Sequence, residues 1–199
     1  IADRPDGKGK CLHQVVATAP ISWATASQPY TILGDDHWSD YEVAADVLLS
    51  GQDSAGVMGR VNHVGTGYGY QPKGYCFLLG ADGSCRLSVF RGKEDKKKAV
   101  GDAEQQALIN AGRDEGPGGE RVLASGRIPG IAPGQWHRIT LRMQGSDITA
   151  LVDEKPVLHG TDHLYPHGMA GLTIGIRGKT FSTPYFDNIA ITPTTPPRP

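Results

Sequence analysis

Apolar and polar residues alternate one for one through much of this chain, and turn-forming residues interrupt the alternation at intervals of roughly ten residues. Side chains project to opposite faces only in an extended strand, so this period of two excludes helices over those stretches. Over residues 41–49, Val43, Ala45, Val47 and Leu49 share one face, and Glu42, Ala44 and Asp46 share the other. Over 56–62, Val57 and Val61 point one way and Met58, Arg60 and Asn62 the other. Residues 136–143 group Ile139, Leu141 and Met143, and residues 148–152 group Ile148, Ala150 and Val152. Segments 75–80 and 86–91 read as a hairpin across Ala81-Asp82-Gly83-Ser84, because Asp-Gly tolerates positive φ. A two-residue loop there sets Cys85 opposite Gly80 and Cys76 opposite Val89. Asp153-Glu154-Lys155-Pro156 is a second tight turn, and 168–177 and 184–192 supply two late strands. Such spacing belongs to an antiparallel sandwich rather than to alternating strand–helix units.

Composition fits that architecture. Gly 27 and Pro 14 are high counts for 199 residues, a length that suits one domain with a real core. Residues 93–119 break the alternation with a lysine-rich run and then Gly116-Pro117-Gly118-Gly119. This stretch reads as a long polar insertion, with one short helix over 102–110 capped by Asp102. Residues 192–199 form a Pro/Thr-rich tail, so the expected domain is 1–191. A net charge of −1, from 20 basic and 21 acidic residues, argues against a nucleic-acid binder working through bulk positive charge. No apolar run approaches the ~20 residues of a transmembrane helix.

Metal, nucleotide and hydrolase motifs are weak. Cys11, Cys76 and Cys85 leave at least one thiol unpaired and contain no C-x-x-C, so buried or half-buried free thiols are the expectation. His159, His163 and His167 recur every fourth residue, but Gly160, Pro166 and Gly168 forbid the helix that would align them. Gly178-Lys179-Thr180 lacks the first glycine of a phosphate loop, and no G-x-S-x-G elbow exists. Asp35, Asp36, Asp40, Glu42 and Asp46 are candidate carboxylates for glycoside hydrolysis, yet nothing marks one as desolvated.

Two constellations stand above this background. Arg60, Asn62, Tyr68, Tyr70, Gln71 and Tyr75 fall in one strand–loop–strand unit. Aromatic rings stack on the apolar faces of sugars while Arg, Asn and Gln bond their hydroxyls, so Arg60, Asn62, Tyr70 and Tyr75 are the expected carbohydrate contacts. An ordinary polar sheet face is the alternative. Asp187, in Phe186-Asp187-Asn188-Ile189, lies in the last strand, and Asp3 lies near the chain start. First and last strands of a sandwich are often neighbours, so these carboxylates are candidate ligands of a structural calcium; an aspartate bonding a turn is the alternative.

An ordered set of motifs resembles the C-terminal lectin-like domain of the galactocerebrosidase (galactosylceramidase) family. It comprises Pro20-Ile21-Ser22-Trp23-Ala24, Tyr30-Thr31-Ile32-Leu33-Gly34-Asp35, Trp38-Ser39-Asp40-Tyr41-Glu42-Val43, Gly59-Arg60-Val61-Asn62, Trp136-His137-Arg138-Ile139-Thr140-Leu141 and Phe186-Asp187-Asn188-Ile189. The resemblance implies an all-β, concanavalin-like jelly-roll sandwich of two antiparallel sheets. It implies a non-catalytic domain that recognises a carbohydrate or glycolipid head group beside the catalytic TIM barrel of the same glycoside hydrolase. That barrel and its glutamates have no positions in this chain. The family is similar to calcium-bearing sandwiches, with Asp187 matching its Phe-Asp-Asn aspartate. Residue chemistry leaves the compartment open, and a secreted or extracytoplasmic setting is expected ahead of a cytoplasmic one. The sequon-free, Gly/Ala/Asp-rich sequence looks bacterial, and its start in mid-pattern suggests a piece of a larger enzyme. Two rivals stand beside this reading: a sandwich that itself hydrolyses glycosides, and a structural spacer.

Overall fold

Alternation translates directly into layers. In the computed structural model, which describes residues 1–18, 29–62, 72–92, 103, 107, 110, 111, 119–177 and 180–194, two antiparallel sheets face each other across one apolar core. One sheet has seven strands. Their order is β1 (Ala2–Asp3), β2 (Lys10–His13), β15 (Tyr185–Pro193), β4 (Tyr41–Leu48), β9 (Trp136–Gln144), β10 (Asp147–Val152) and β11 (Lys155–Thr161). The other has six, in the order β3 (Tyr30–Leu33), β12 (Met169–Ile174), β5 (Ser54–Asn62), β6 (Lys73–Gly80), β7 (Ser84–Arg91) and β8 (Glu120–Arg127). A small ribbon joins β13 (Ile176–Arg177) to β14 (Thr180–Phe181). This is the expected all-β jelly-roll sandwich.

The predicted inward faces are the core. Val43, Ala45, Val47, Ile139, Leu141, Met143, Ile148 and Ala150 are fully buried from the seven-stranded sheet, against Val57, Phe77, Leu79 and Leu87 from the other. Each fully buried Val, Leu, Ile or Phe stabilises the sandwich by roughly 1.5–3 kcal/mol. The outward residues Glu42 and Asp46 pair across strands with Arg142 and Arg138. Asp153 and Glu154, both at positive φ, make the tight β10–β11 turn.

Three local expectations need correction. The β6–β7 loop is one residue longer than a two-residue turn, since Gly83 N–H bonds Gly80 O at 2.9 Å and Gly83 has φ +81°. The pairs are therefore Leu79–Cys85 and Cys76–Ser88. All three cysteines are buried free thiols. Next, the register of β5 on β6 shifts between Gly59 and Asn62, where Arg60 takes φ +48°. This bulge inserts an unpaired residue and turns Arg60 inward, while Met58 and Val61 join a second apolar cluster with Cys76 and Phe90. Finally, β2 and not β1 pairs with β15, so Asp3 lies one strand beyond the last strand. The last strand runs Tyr185–Pro193, shifted by one residue at each end from the expected 184–192. Of the helix expected over 102–110, Asp102 lies outside the described residues; Ala111 N–H bonds Ala107 O at 3.0 Å in the α-helical pattern.

Candidate functional site

The bulge in β5 builds one end of the sandwich. Arg60 is 1% exposed, and its guanidinium spreads over three connecting segments. Nε donates to Ser39 O at 2.8 Å, Nη1 to Gly145 O at 2.7 Å and Tyr165 O at 3.2 Å, and Nη2 to Asp40 Oδ1 at 3.0 Å. Gly145 N–H donates to the same Asp40 oxygen at 2.9 Å. A planar fork of five donors is what lets one side chain satisfy so many buried acceptors. The Arg60 backbone is fixed too: its N–H donates to Tyr41 Oη at 2.6 Å, and that hydroxyl donates to Gly168 O at 3.0 Å. Burial pushes the Tyr41 phenol up to about 12, so it stays a neutral donor.

Tyr75 anchors a second knot on the inner side of β6. It is fully buried, and its hydroxyl donates to Asp162 Oδ1 at 2.6 Å while accepting from Tyr165 N–H at 3.1 Å. Asp162, also fully buried, accepts from Leu164 N–H at 2.8 Å and pairs with Arg121 of β8. Burial and the neighbouring Asp162 charge both raise the Tyr75 phenol well above its ordinary value. Asn62 sits between the knots and the surface. Its Nδ2 donates to Arg60 O at 2.9 Å and His167 O at 2.6 Å, and His167 Nδ1 lies 2.7 Å from Asp36 O.

The expected sugar contacts thus divide. Arg60 and Tyr75 are interior residues with protein partners, so they shape the site rather than touch a ligand. Asn62 is partly exposed at the rim, bonded to the 162–168 connection. Tyr70 lies outside the described residues. Asp162 and Arg121 escaped sequence reading, because neither belongs to an alternating run or a motif. Trp38 carried a sequence signal only as part of a motif. It is 37% exposed, an exposed large hydrophobic, and stands at the lip of this same end.

At the expected calcium ligands, each carboxylate already meets a cationic side chain. Arg4 bonds Asp187 Oδ2, Asn188 N–H donates to Asp187 Oδ1 at 2.8 Å, and Lys10 Nζ pairs with Asp3 Oδ1 at 2.6 Å. Arg4 also bonds Asp6 and lies 4.4 Å over the Trp136 ring. Calcium takes 6–8 oxygens. Two carboxylates already bonded to an arginine and a lysine do not fit it.

Two antiparallel sheets stacked on one apolar core define the jelly-roll class of β-sandwich domains. Residues 2–96 match the family described as "Galactocerebrosidase, C-terminal lectin domain". The chain is 29% identical over 184 residues to galactocerebrosidase of Danio rerio and 26% to that of Homo sapiens, covering 90% of this chain in both cases. It is therefore similar to the galactocerebrosidase lectin domain along nearly its whole length. It spans only 23% and 22% of those two proteins. Among solved structures, the carbohydrate-binding module CBM66 of Bacillus subtilis superposes with TM-score 0.52 at 15% identity, over 77% of this chain and 75% of that one, which shows the shared sandwich fold.

Proposed function

We propose that this chain is a non-catalytic carbohydrate-recognition domain of a galactosylceramidase-like glycoside hydrolase. It works outside the cytoplasm, beside the catalytic barrel of the same enzyme, and contacts a carbohydrate or glycolipid head group. One observation carries the reading: alignment over 90% of this chain with proteins named galactocerebrosidase, of which it makes up less than a quarter. The Arg60 and Tyr75 knots support it, because each fixes a connection at one end of a rigid sandwich. Sites built on such supported elements hold ligand-binding geometry without reorganisation. The Gly/Ala/Asp-rich, sequon-free sequence favours a bacterial source, although the relatives described above are vertebrate.

Calorimetric titration of the 199-residue chain with galactose, lactose and a galactosylceramide head-group analogue, together with a broad glycan array, tests this reading. A dissociation constant in the micromolar to millimolar range is expected for at least one galactoside. Silence across the array overturns recognition in favour of a spacer. Sugar release from a chromogenic galactoside overturns the non-catalytic assignment.

A further inference from the structure

The Arg60 knot presents something at the surface that its buried bonds do not require. A groove of about 370 Å³ opens above it, lined by His37, Trp38, Asp40, Ile191 and Pro193 among others. That volume lies near the lower end of the roughly 300–1,000 Å³ of small-molecule clefts. The indole of Trp38 rests on the backbone at Gly34, where a Cβ would lie 2.0 Å from the ring. Gly34 has φ +98°, so the close approach and the backbone both call for glycine. Tyr41 meets the same indole edge-on at a centroid distance of 5.9 Å. The ring is thereby fixed in orientation yet remains 37% exposed. Among the described residues, its Nε1–H has no hydrogen-bond partner.

Asp40 is the second half of the arrangement. Both of its side-chain bonds, from Arg60 Nη2 and Gly145 N–H, fall on Oδ1. Among the described residues Oδ2 accepts nothing, and the side chain is 37% exposed. A carboxylate locked through one oxygen and open through the other is preorganised to accept from ligand hydroxyls. A flat, immobilised indole beside it complements a face of C–H groups. A pyranose such as galactose offers both: an apolar face of clustered C–H bonds, and a rim of hydroxyls that carboxylates bind well.

We propose that this groove is a pyranose subsite, in which Trp38 stacks on the apolar sugar face and Asp40 Oδ2 accepts from the hydroxyl rim. Arg60 is a positioning residue that acts through Asp40 and Ser39. The assignment rests on the carbohydrate-recognition reading and adds its location.

The test titrates methyl β-galactopyranoside into the 199-residue wild type and two variants, following ¹⁵N-labelled indole resonances in parallel. In wild type, the Trp38 indole signal shifts on titration and the Trp136 signal stays in place. Trp38→Ala weakens affinity about tenfold, equivalent to about 1.4 kcal/mol. Asp40→Asn keeps an acceptor for Arg60 and Gly145 but turns the open oxygen into a donor, so it weakens binding at least about threefold; it also removes the charge facing Arg60, so the melting temperature falls while the domain stays folded at the titration temperature. Should Trp38→Ala lose its fold, the wild-type indole shift and Asp40→Asn still decide. Binding that leaves the Trp38 signal and both affinities unmoved overturns the subsite while sparing carbohydrate recognition. Absence of binding to any sugar on the array overturns both.

Discussion

Arg60 is a fixed cation with almost no access to water, so its stabilisation must come from the four acceptors around it. Removing it leaves the carbonyls of Ser39, Gly145 and Tyr165 without that donor and opens a void beneath Asp40. Arg60→Ala is expected to cost about 3–4 kcal/mol, in the range for breaking a buried polar network. Urea unfolding checks this through a lower midpoint at an unchanged slope. Tyr75→Phe removes only the hydroxyl between Asp162 and Tyr165 N–H, and Asp162 keeps Arg121 and Leu164 N–H. Its cost is expected to be about 1–2 kcal/mol. At the groove lip, His37 lies within 2.8 Å of Asp35 and 2.7 Å of Asp36. The hydrogen bond to Asp35 and the charge of Asp36 raise its imidazole above the usual value near 6.5. The loop contact is thus fully present below that ordinary value and is lost as pH rises through the raised one. A proton NMR titration should place the His37 midpoint above 6.5, and Asp35→Asn should lower it. Arg60 was visible in the sequence as a chemically loaded residue, but its direction was not. Period-two reading assigns it the same face as Met58, and a bulge reverses that face with no change in residue type. Trp38 posed the opposite difficulty. Its exposure depends on Gly34 and Tyr41 packing against it, which no single-residue pattern reports.

Strands with one buried face announce themselves, and strands without one do not. β4, β9 and β10 were legible because every second residue is fully or nearly fully excluded from water. β8 was not, since Glu120–Arg127 has only half-buried and exposed positions at the edge of its sheet. Turn length limits register in the same way. Asp82-Gly83 signals a hairpin, but the αL glycine adds a bulge residue and moves each partner by one. The strands near the two chain ends show how local charge overrides an inference from topology. β2 does lie beside β15, as sandwich closure requires, yet Asp187 is met by Arg4 rather than left open to a metal. Chelator followed by excess calcium is therefore expected to leave the melting temperature unchanged. A rise with calcium would show that the ion displaces Arg4, because only a ligand of the native state raises the melt. Gly83→Ala tests the turn itself. A Cβ there would lie 2.4 Å from Ile128 O at φ +81°, so a loss of about 1–2 kcal/mol is expected by thermal melting.

At the scale of the molecule, the three thiols report on whether the sandwich opens as one body. Cys11 lies in the seven-stranded sheet near the chain start, Cys85 faces the shared core, and Cys76 lies in the second apolar cluster of the six-stranded sheet. All three are 5% exposed or less. Burial raises each thiol above its ordinary value, so the reactive thiolate is scarce as well as hidden. With no disulfide among them, stability has to come from facing apolar layers that neither sheet can bury alone. Single domains held this way usually unfold all or none. Thiol labelling in native buffer should then be negligible, and labelling against urea, resolved by peptide mass spectrometry, should give one midpoint for all three cysteines. Early labelling of Cys11 alone would mean that the β1–β2 arm, despite the bonds from Arg4 to Asp187, opens separately from the sandwich. Early labelling of Cys76 would place the weak point at the outer face of the six-stranded sheet. A shared midpoint ties the Trp38 groove, the Arg60 knot and the paired chain ends to one cooperative unit, so that Arg60→Ala should shift all three labelling curves together.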